Sequence, residues 1–211
     1  ASSASLPTLE PLKKAESLLD SRDRADADPK IREGGSYVLG IDAGSTTTKA
    51  ILLDIADRSI AASSYLRTLG NPVRAVKACL DQLIDQVGDR CIDIIQCSVT
   101  GSGRELVSLY LNNCPSFNEI LAHARAAAQE LPEVDTVFEI GGQDSKYISF
   151  LEGVPVDYAM NEGCSAGTGS FIEESAAVDM GVATEDISRI AEESQNPIGF
   201  GERCAAFINT D

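Results

Sequence analysis

The chain lacks tryptophan, has few aromatic residues and contains no long apolar run. Aromatic residues make up 5% of its 211 positions, and there is 1 histidine. No apolar segment approaches the roughly 20 residues that a transmembrane helix requires. Basic residues are also scarce, because 17 of them stand against 33 acidic residues and leave a formal charge of −16. This balance argues against nucleic acid and anionic membranes as partners.

The 6 cysteines show no regular spacing, which argues against the disulfide framework of a small secreted domain. No charged-then-apolar signal segment opens the chain. We therefore expect a reduced, cytoplasmic setting. The first residue is Ala rather than Met, so we expect a trimmed or internal piece of a longer protein.

The most informative segment is GIDAGSTTTK at residues 40–49, which lies between two β-prone runs. A hairpin with this sequence exposes backbone N–H groups, hydroxyls and the carboxylate of Asp42 at its tip. Those groups suit a nucleotide, because N–H groups and hydroxyls hold phosphate oxygens while the acid faces Mg²⁺ or its waters. The segment is not a P-loop, since no G-x-x-x-x-G-K-[ST] precedes a helix. Taken alone, an ordinary turn is the alternative interpretation.

A second strand–glycine–strand pattern occurs further along the chain. Residues 133–140 predict a buried strand, Gly141-Gly142-Gln143-Asp144 predicts a turn, and residues 145–150 predict the next strand. Two such turns, each with an acid, fit a nucleotide held between two related half-domains. The pair therefore favours a nucleotide site over two unrelated turns.

Several further motifs accompany these turns in a fixed order. They are TGSGR at 100–104, Glu119 with HAR at 123–125, IGGQDSK at 140–146 and MNEGCSAGTGSF at 160–171. With the first turn, they make residues 37–211 resemble the ASKHA superfamily, which includes acetate and sugar kinases, heat-shock chaperone ATPases, hexokinase and actin. More narrowly, the chain is similar to the BadF/BadG/BcrA/BcrD-type ATPases, which include activators of 2-hydroxyacyl-CoA dehydratases and ATPase subunits of benzoyl-CoA reductase. Larger, multidomain CoA-substrate-specific enzyme activases are the better match.

The resemblance implies an α/β, ribonuclease H-like fold of duplicated half-domains. The first half is expected at about 37–135 and the second at about 136–211, truncated at its C-terminus because the relatives continue further. Residues 1–36 are expected to be a linker or an appended segment. The apolar pattern predicts strands at 37–42, 46–54, 58–66, 92–99, 134–140, 144–151, 154–159 and 203–208. It predicts helices at 71–87, 104–111, 119–131, 166–180 and 184–194, with Asn71 and Asn118 as caps.

The resemblance also implies roles in a site for ATP or ADP with Mg²⁺. Asp42 is expected to be the Mg²⁺-side carboxylate, with a turn-forming Asp as the alternative. Asp144 is expected to orient the attacking water or to bind Mg²⁺ through water. The residues expected around the phosphates are Gly44, Ser45, Thr46, Thr47 and Lys49 in the first turn and Gly141, Gly142 and Gln143 in the second.

Three polar residues outside the two turns have alternative interpretations. Glu119 is expected to support catalysis, although a Glu in the first turn of a helix is also simply a good helix start. His123, on the same helix, is expected to be structural rather than catalytic. Arg104 either anchors the turn at Thr100 or forms a surface ion pair.

The cysteines divide into two groups. Cys164 directly precedes a predicted helix, whose positive end favours a thiolate or an anionic cluster, and Cys204 follows another turn. The resemblance implies that this pair binds a [4Fe–4S] cluster, which needs four cysteine ligands. A symmetric homodimer, or a second like domain, is expected to supply the other two. The remaining thiols are expected to be small core or near-surface groups: Cys79, Cys91, Cys97 and Cys114.

The resemblance therefore implies an ATP-dependent redox activator. ATP hydrolysis is expected to change a dimer interface that holds the cluster. An electron from reduced ferredoxin or flavodoxin is then passed at low potential to a partner dehydratase or reductase. Two alternatives stay open, a small-molecule kinase of the same fold, such as an amino-sugar kinase, and a nucleotide-binding interaction module without turnover. A kinase has no need of the cysteine pair.

Overall fold

The computed structural model describes residues 9–18, 29–161 and 168–197. Two 3₁₀ turns, Leu12–Lys14 and Glu16–Leu18, precede the first strand. The strands are β1 (Ser36–Ala43), β2 (Thr47–Asp54), β3 (Ile60–Arg67), β4 (Asp93–Thr100), β5 (Thr136–Ile140), β6 (Ser145–Leu151) and β7 (Val154–Met160). The helices are α1 (Pro72–Val87), α2 (Arg104–Tyr110), α3 (Glu119–Glu130), α4 (Gly169–Glu174) and α5 (Ile187–Glu193). A π-helical turn, Ser175–Asp179, extends α4, and a 3₁₀ turn, Thr184–Asp186, precedes α5.

The first sheet has the strand order β3-β2-β1-β4. The first three strands form an antiparallel meander, whereas β4 pairs parallel to β1. A parallel pair needs a crossover, and α1 lies within that connection and packs on β2 and β3. The core between this helix and the sheet is formed by apolar residues that include Tyr37, Ile41, Ala50, Leu52, Val76, Cys79, Leu83 and Val99.

Helix α1 forms where the sequence predicts it, and the contacts of its first turn explain why it begins there. The side chain of Asn71 accepts a hydrogen bond from the N–H of Arg74 at 3.0 Å, and Pro72 is the first helical residue. Its buried face carries Val76, Cys79 and Leu83. The predictions of the Asn71 cap and of Cys79 as a packing residue are therefore confirmed.

The residues just before β1 contact the first sheet. Ile31 is part of its buried core, and the Arg32 guanidinium pairs with the buried carboxylate of Asp54 at 2.6 Å. The hydroxyl of Tyr37 accepts a hydrogen bond from the Arg32 N–H at 2.8 Å. The division into 1–36, 37–135 and 136–211 remains a prediction.

The second sheet is the antiparallel meander β5-β6-β7. Helix α3 packs on β6, where Ala124 meets Ile148 and Phe150 in a second, smaller core. The side chain of Asn118 accepts from the N–H of Ile120 at 2.8 Å, so the predicted cap of this helix is also confirmed. In the part of the chain described, no helix is long and apolar enough to cross a lipid bilayer.

Several predicted elements differ in detail from the structure, and β5 begins at Thr136 rather than at 134. Strand β3 begins at Ile60 rather than at 58, because the turn after β2 still includes Arg58 with φ 62°. The helix predicted at 166–180 is seen from Gly169, and its second part is π-helical. The helix predicted at 184–194 opens with a 3₁₀ turn. The strand predicted at 203–208 lies outside the described residues.

Candidate nucleotide site

The first candidate turn joins β1 to β2. In the antiparallel register Asp42 lies opposite Lys49, and the Lys49 ammonium is 3.2 Å from the Asp42 carboxylate. A side chain at Gly44 would bring its Cβ within 2.6 Å of the Thr47 carbonyl oxygen, so the turn is tight enough to require glycine. Thr68, after β3, fixes the turn by donating its hydroxyl to the Gly44 carbonyl and its N–H to the Thr46 carbonyl, both at 2.8 Å.

The turn after β4 packs against the same end of β1. Thr100 lies beside Asp42 in the parallel register, and the Gly103 N–H donates to the Ala43 carbonyl at 2.8 Å. Gly101 has φ 93°, and a Cβ there would lie 2.6 Å from both the Asp42 carboxylate and the Ala43 carbonyl oxygen. The TGSGR motif therefore packs directly against Asp42, the predicted Mg²⁺-side carboxylate.

Arg104 links this turn to helix α3. Its guanidinium donates to the Gly101 carbonyl at 3.1 Å and to the Glu119 carboxylate at 2.7 Å. Both predicted interpretations of Arg104 hold, because it anchors the turn and forms an ion pair that is only partly exposed. Glu119 is thus held by Arg104 at the start of α3, and its catalytic role remains a prediction.

The second candidate turn joins β5 to β6. The Gly141 N–H donates to the Asp144 carbonyl at 2.8 Å, which closes a two-residue tip made of Gly142 and Gln143. The carboxylates of Glu139 and Asp144 flank Gly141, since a Cβ there would lie 3.1 Å from an oxygen of each. This turn therefore carries two acids rather than the single acid predicted from the sequence.

A buried lysine connects those two acids. The Lys146 ammonium lies 2.9 Å from the Glu139 carboxylate and 2.5 Å from the Asp144 carboxylate, and its side chain is 4% exposed. Burial opposes its charge, but the hydrogen bonds to Asp144 and Glu139 outweigh burial and raise the pKa of Lys146. The ammonium is therefore a permanent charge of the second turn.

Glu139 and Lys146 were not among the site residues predicted from the sequence. The sequence contains a signal for this pair, because a two-residue tip in an antiparallel hairpin places residue 139 directly opposite residue 146. The His123 Nδ1 lies 3.9 Å from the Glu139 carboxylate and has no hydrogen-bond partner among the described residues. A structural role for His123 remains a prediction.

The two turns meet in the structure. A Cβ at Gly142 would lie 2.0 Å from the Thr46 hydroxyl oxygen, so the backbone of the second turn is directly against the first. Ser170 at the start of α4 shares a 3.2 Å hydrogen bond with the Thr46 hydroxyl, and its N–H donates to the Gly142 carbonyl at 3.0 Å. The structure thereby brings the predicted phosphate-binding segments together.

The predicted metal ligands are two carboxylates and two thiols. Asp42 and Asp144 offer partly exposed carboxylate oxygens, the donor type that Mg²⁺ prefers. Cys164 and Cys204 lie outside the described residues. Within residues 9–18, 29–161 and 168–197, no group of three or more His, Cys, Asp or Glu side chains is placed to hold a metal ion. The predicted cluster site is therefore left untested.

A groove with a volume of about 1040 Å³ adjoins the first turn. It lies between the face of the first sheet opposite α1 and the helix α3, and Asp42, Lys49 and Thr100 line it. Most of its remaining lining is apolar, and the second turn is not part of it. The candidate site for phosphate is thus the junction of the turns, at the edge of this groove.

Two carboxylate-bearing hairpin turns thus meet between a mixed sheet and an antiparallel sheet. The chain matches solved structures of ASKHA-type proteins and has the same fold. The sequence profile of the BadF/BadG/BcrA/BcrD ATPase family matches residues 39–211, and the chain belongs to this family. The predicted fold and family are both confirmed.

Named relatives agree with this assignment. The 2-hydroxyisocaproyl-CoA dehydratase activator of Clostridioides difficile is 29% identical over 176 residues, which are 83% of this chain and 64% of that protein. The (R)-2-hydroxyglutaryl-CoA dehydratase activating ATPase of Acidaminococcus fermentans is 29% identical over 175 residues, covering 83% and 65%. The solved activator from Clostridium difficile with bound ADPNP matches with a TM-score of 0.72 and 30% identity over 82% of this chain and 63% of that one. The chain thus spans somewhat less than two thirds of these relatives.

Proposed function

We propose that the chain is the ATPase domain of a redox activator. It binds Mg²⁺·ATP where the two turns meet and uses hydrolysis to drive electron transfer through a shared Fe–S cluster to a partner dehydratase or reductase. The observation that carries the proposal is the contact between Thr46 and Gly142, which joins two acid-bearing turns from separate sheets. The similar proteins named as dehydratase activators support the choice of reaction.

The nucleotide part of the proposal follows from the turns. Backbone N–H groups and the Thr46 and Thr47 hydroxyls bind phosphate oxygens, and Lys49 adds positive charge beside them. Because the turns touch, a phosphate group enters only when they separate, and its contacts with both then hold them at a new spacing. Asp42 and Asp144 hold Mg²⁺ or its waters, and Mg²⁺ neutralises charge on the phosphates when bound. Asp144 also orients the attacking water.

The helix α4 connects the nucleotide to the cysteine segment. The Gly169 N–H donates to the Gly141 carbonyl at 2.9 Å, so the first residues of this helix are bonded to the second turn. Cys164 lies five positions earlier in the chain. A change in the spacing of the turns is therefore passed to the start of α4, and this is the coupling that an activator needs.

The cluster part of the proposal rests on family membership. Cys164 and Cys204 each provide one thiolate, and a second copy of the chain or a like domain provides two more for a [4Fe–4S] cluster. The cluster carries one electron when bound, with reduced ferredoxin or flavodoxin as the donor. The protein residues supply the ligands and the movable interface between copies.

Anaerobic purification with iron and sulfide quantification tests this function. We expect about one four-iron cluster per pair of chains. Cys164→Ser and Cys204→Ser should each abolish it, while Cys91→Ser, which alters an exposed thiol, should leave it intact. Full cluster content in either of the first two variants would overturn the cluster assignment.

A second measurement separates the activator from a kinase of the same fold. An activator hydrolyses ATP without a phosphate acceptor, whereas a kinase turns over rapidly only when its small-molecule acceptor is added. Steady-state ATPase rates measured with and without a panel of amino sugars distinguish the two. A large rate increase with one sugar, and phosphate found on that sugar, would favour the kinase.

A further inference from the structure

Lys146 is the most deeply buried charged side chain near the candidate site, and its neighbours are two acids. Its ammonium donates to Glu139 at 2.9 Å and to Asp144 at 2.5 Å. The two contacts differ in their surroundings, because the side chain of Asp144 is 40% exposed and that of Glu139 is 21% exposed. One end of this network therefore reaches the surface of the second turn.

A purely stabilising role does not account for this arrangement well. Replacing a buried ion pair by packed apolar residues is often neutral or stabilising, so such a pair is weak evidence for a contribution to stability. Glu139 already lies directly opposite Lys146 in the β5–β6 register and is sufficient as a partner. The additional bond to Asp144 instead fixes an acid on the exposed side of the turn, where the proposed function requires a carboxylate in a defined orientation.

We propose that Lys146 is a positioning residue that orients the Asp144 carboxylate and, by engaging one of its oxygens, weakens its attraction for Mg²⁺. The proposal rests on the proposed function, because it takes Asp144 to face the metal of a bound nucleotide. One Asp144 oxygen is engaged by the ammonium, so the full charge of the carboxylate is not available for direct metal coordination. The neighbouring ammonium would therefore lower the affinity that this carboxylate has for Mg²⁺.

This role predicts opposite changes in metal affinity and in turnover. Without the ammonium, Asp144 carries uncompensated negative charge and attracts Mg²⁺ more strongly, by about tenfold for a unit charge at this range and partial exposure. The same carboxylate loses its fixed orientation, so hydrolysis should slow by tenfold or more. If the lysine served stability alone, its removal would lower both the Mg²⁺ affinity and the turnover, or neither.

The experiment compares four variants with the unaltered chain. Lys146→Met removes the charge, Lys146→Arg keeps it, and Lys77→Met removes an exposed lysine of α1 as a matched control. A double variant, Lys146→Met with Glu139→Met, replaces the cross-strand ion pair by an apolar pair and guards against simple misfolding. The Mg²⁺ dependence of binding is measured with a fluorescent ATP analogue, and steady-state ATPase rates are measured in parallel.

We expect Lys146→Met to bind the analogue at about tenfold lower Mg²⁺ while hydrolysing at least tenfold more slowly. The double variant removes one positive and one negative charge, so it should need nearly the same Mg²⁺ as the unaltered chain but hydrolyse as slowly as Lys146→Met. Lys146→Arg should stay close to the unaltered chain in its Mg²⁺ dependence. An unchanged Mg²⁺ dependence in Lys146→Met, or full turnover in the double variant, would overturn the role of Lys146. Failure of the unaltered chain to bind the analogue at any Mg²⁺ concentration would instead overturn the proposed function.

Discussion

The contact between the two turns makes Gly142 the most sensitive position of the candidate site. In Gly142→Ala the new Cβ would lie 2.0 Å from the Thr46 hydroxyl oxygen and 2.5 Å from the Thr46 Cβ, where ordinary contacts begin at 3.4 Å. Rotation of the Thr46 side chain moves its hydroxyl but not its Cβ. The backbones of the turns must therefore part by about 1 Å, because no rotamer relieves the second contact.

The expected loss in the free energy of unfolding of Gly142→Ala has two contributions. Overpacking of this kind costs about 1–3 kcal/mol. Separation of the turns also weakens the 3.2 Å hydrogen bond between Thr46 and Ser170, whose net contribution is about 0.5–1.5 kcal/mol. Because the two turns relax in part around the new methyl group, we expect the free energy of unfolding to fall by about 2 kcal/mol. This corresponds to a fall in Tm of about 4–8 °C for a chain of this size.

Thermal and urea unfolding followed by circular dichroism measure this loss, a suitable probe since the chain has no tryptophan. Gly169→Ala is the matched control, because a Cβ there would lie 3.4 Å from the Gly141 carbonyl oxygen, an ordinary contact. In a Thr46→Gly background both clashing atoms are gone, and Gly142→Ala should then cost less than about 0.5 kcal/mol. Equal effects of Gly142→Ala and Gly169→Ala would refute the contact between the turns.

Three further predictions concern other parts of the chain. Asn71→Ala should lower the free energy of unfolding by about 1 kcal/mol, because α1 loses the bond to the Arg74 N–H, and Asn71→Asp should not; equal losses in urea titrations would contradict the cap. Burial, with a hydrogen bond to Cys114, raises the pKa of Cys97 to about 12. At pH 8 the alkylation of Cys97, followed by mass spectrometry, should therefore be about a thousandfold slower than that of an ordinary thiol. Rapid labelling of Cys97 would contradict its burial. Asp42→Ala and Asp144→Ala should each reduce steady-state ATP hydrolysis by about a hundredfold, whereas Asp81→Ala, on the exposed face of α1, should leave the rate unchanged.

Local patterns in the sequence predicted much of this fold. The β-prone runs and glycines on either side of Asp42 and Asp144 located both hairpins, and the caps at Asn71 and Asn118 located the starts of α1 and α3. These features depend on neighbouring residues, whose chemistry is visible in the sequence. The π-helical turn after α4 carries no such local signal and was missed.

Contacts between residues that are far apart in the sequence could not be predicted from local patterns. The contact of Thr46 with Gly142 joins residues from different sheets, and only the three-dimensional arrangement shows that the turns touch. The second acid and the lysine at the second turn required the strand register, which places Glu139 opposite Lys146. Sequence motifs thus predicted a candidate site at the turns, and the structure added the charges that surround one of them.

The end of β3 joins the first turn to helix α4, which extends the proposed coupling. Thr68 holds the Gly44 and Thr46 carbonyls, and its neighbour Arg67 forms two hydrogen bonds with Glu173 of α4, at 3.0 and 3.1 Å. The first turn therefore reaches α4 by two routes, directly from Thr46 to Ser170 and through the chain at Arg67. A ligand that separates the turns must break the direct contact, whereas the Arg67–Glu173 pair can persist and act as a pivot. Under the proposed function, α4 would then rotate about that pair while its first residues follow the two turns.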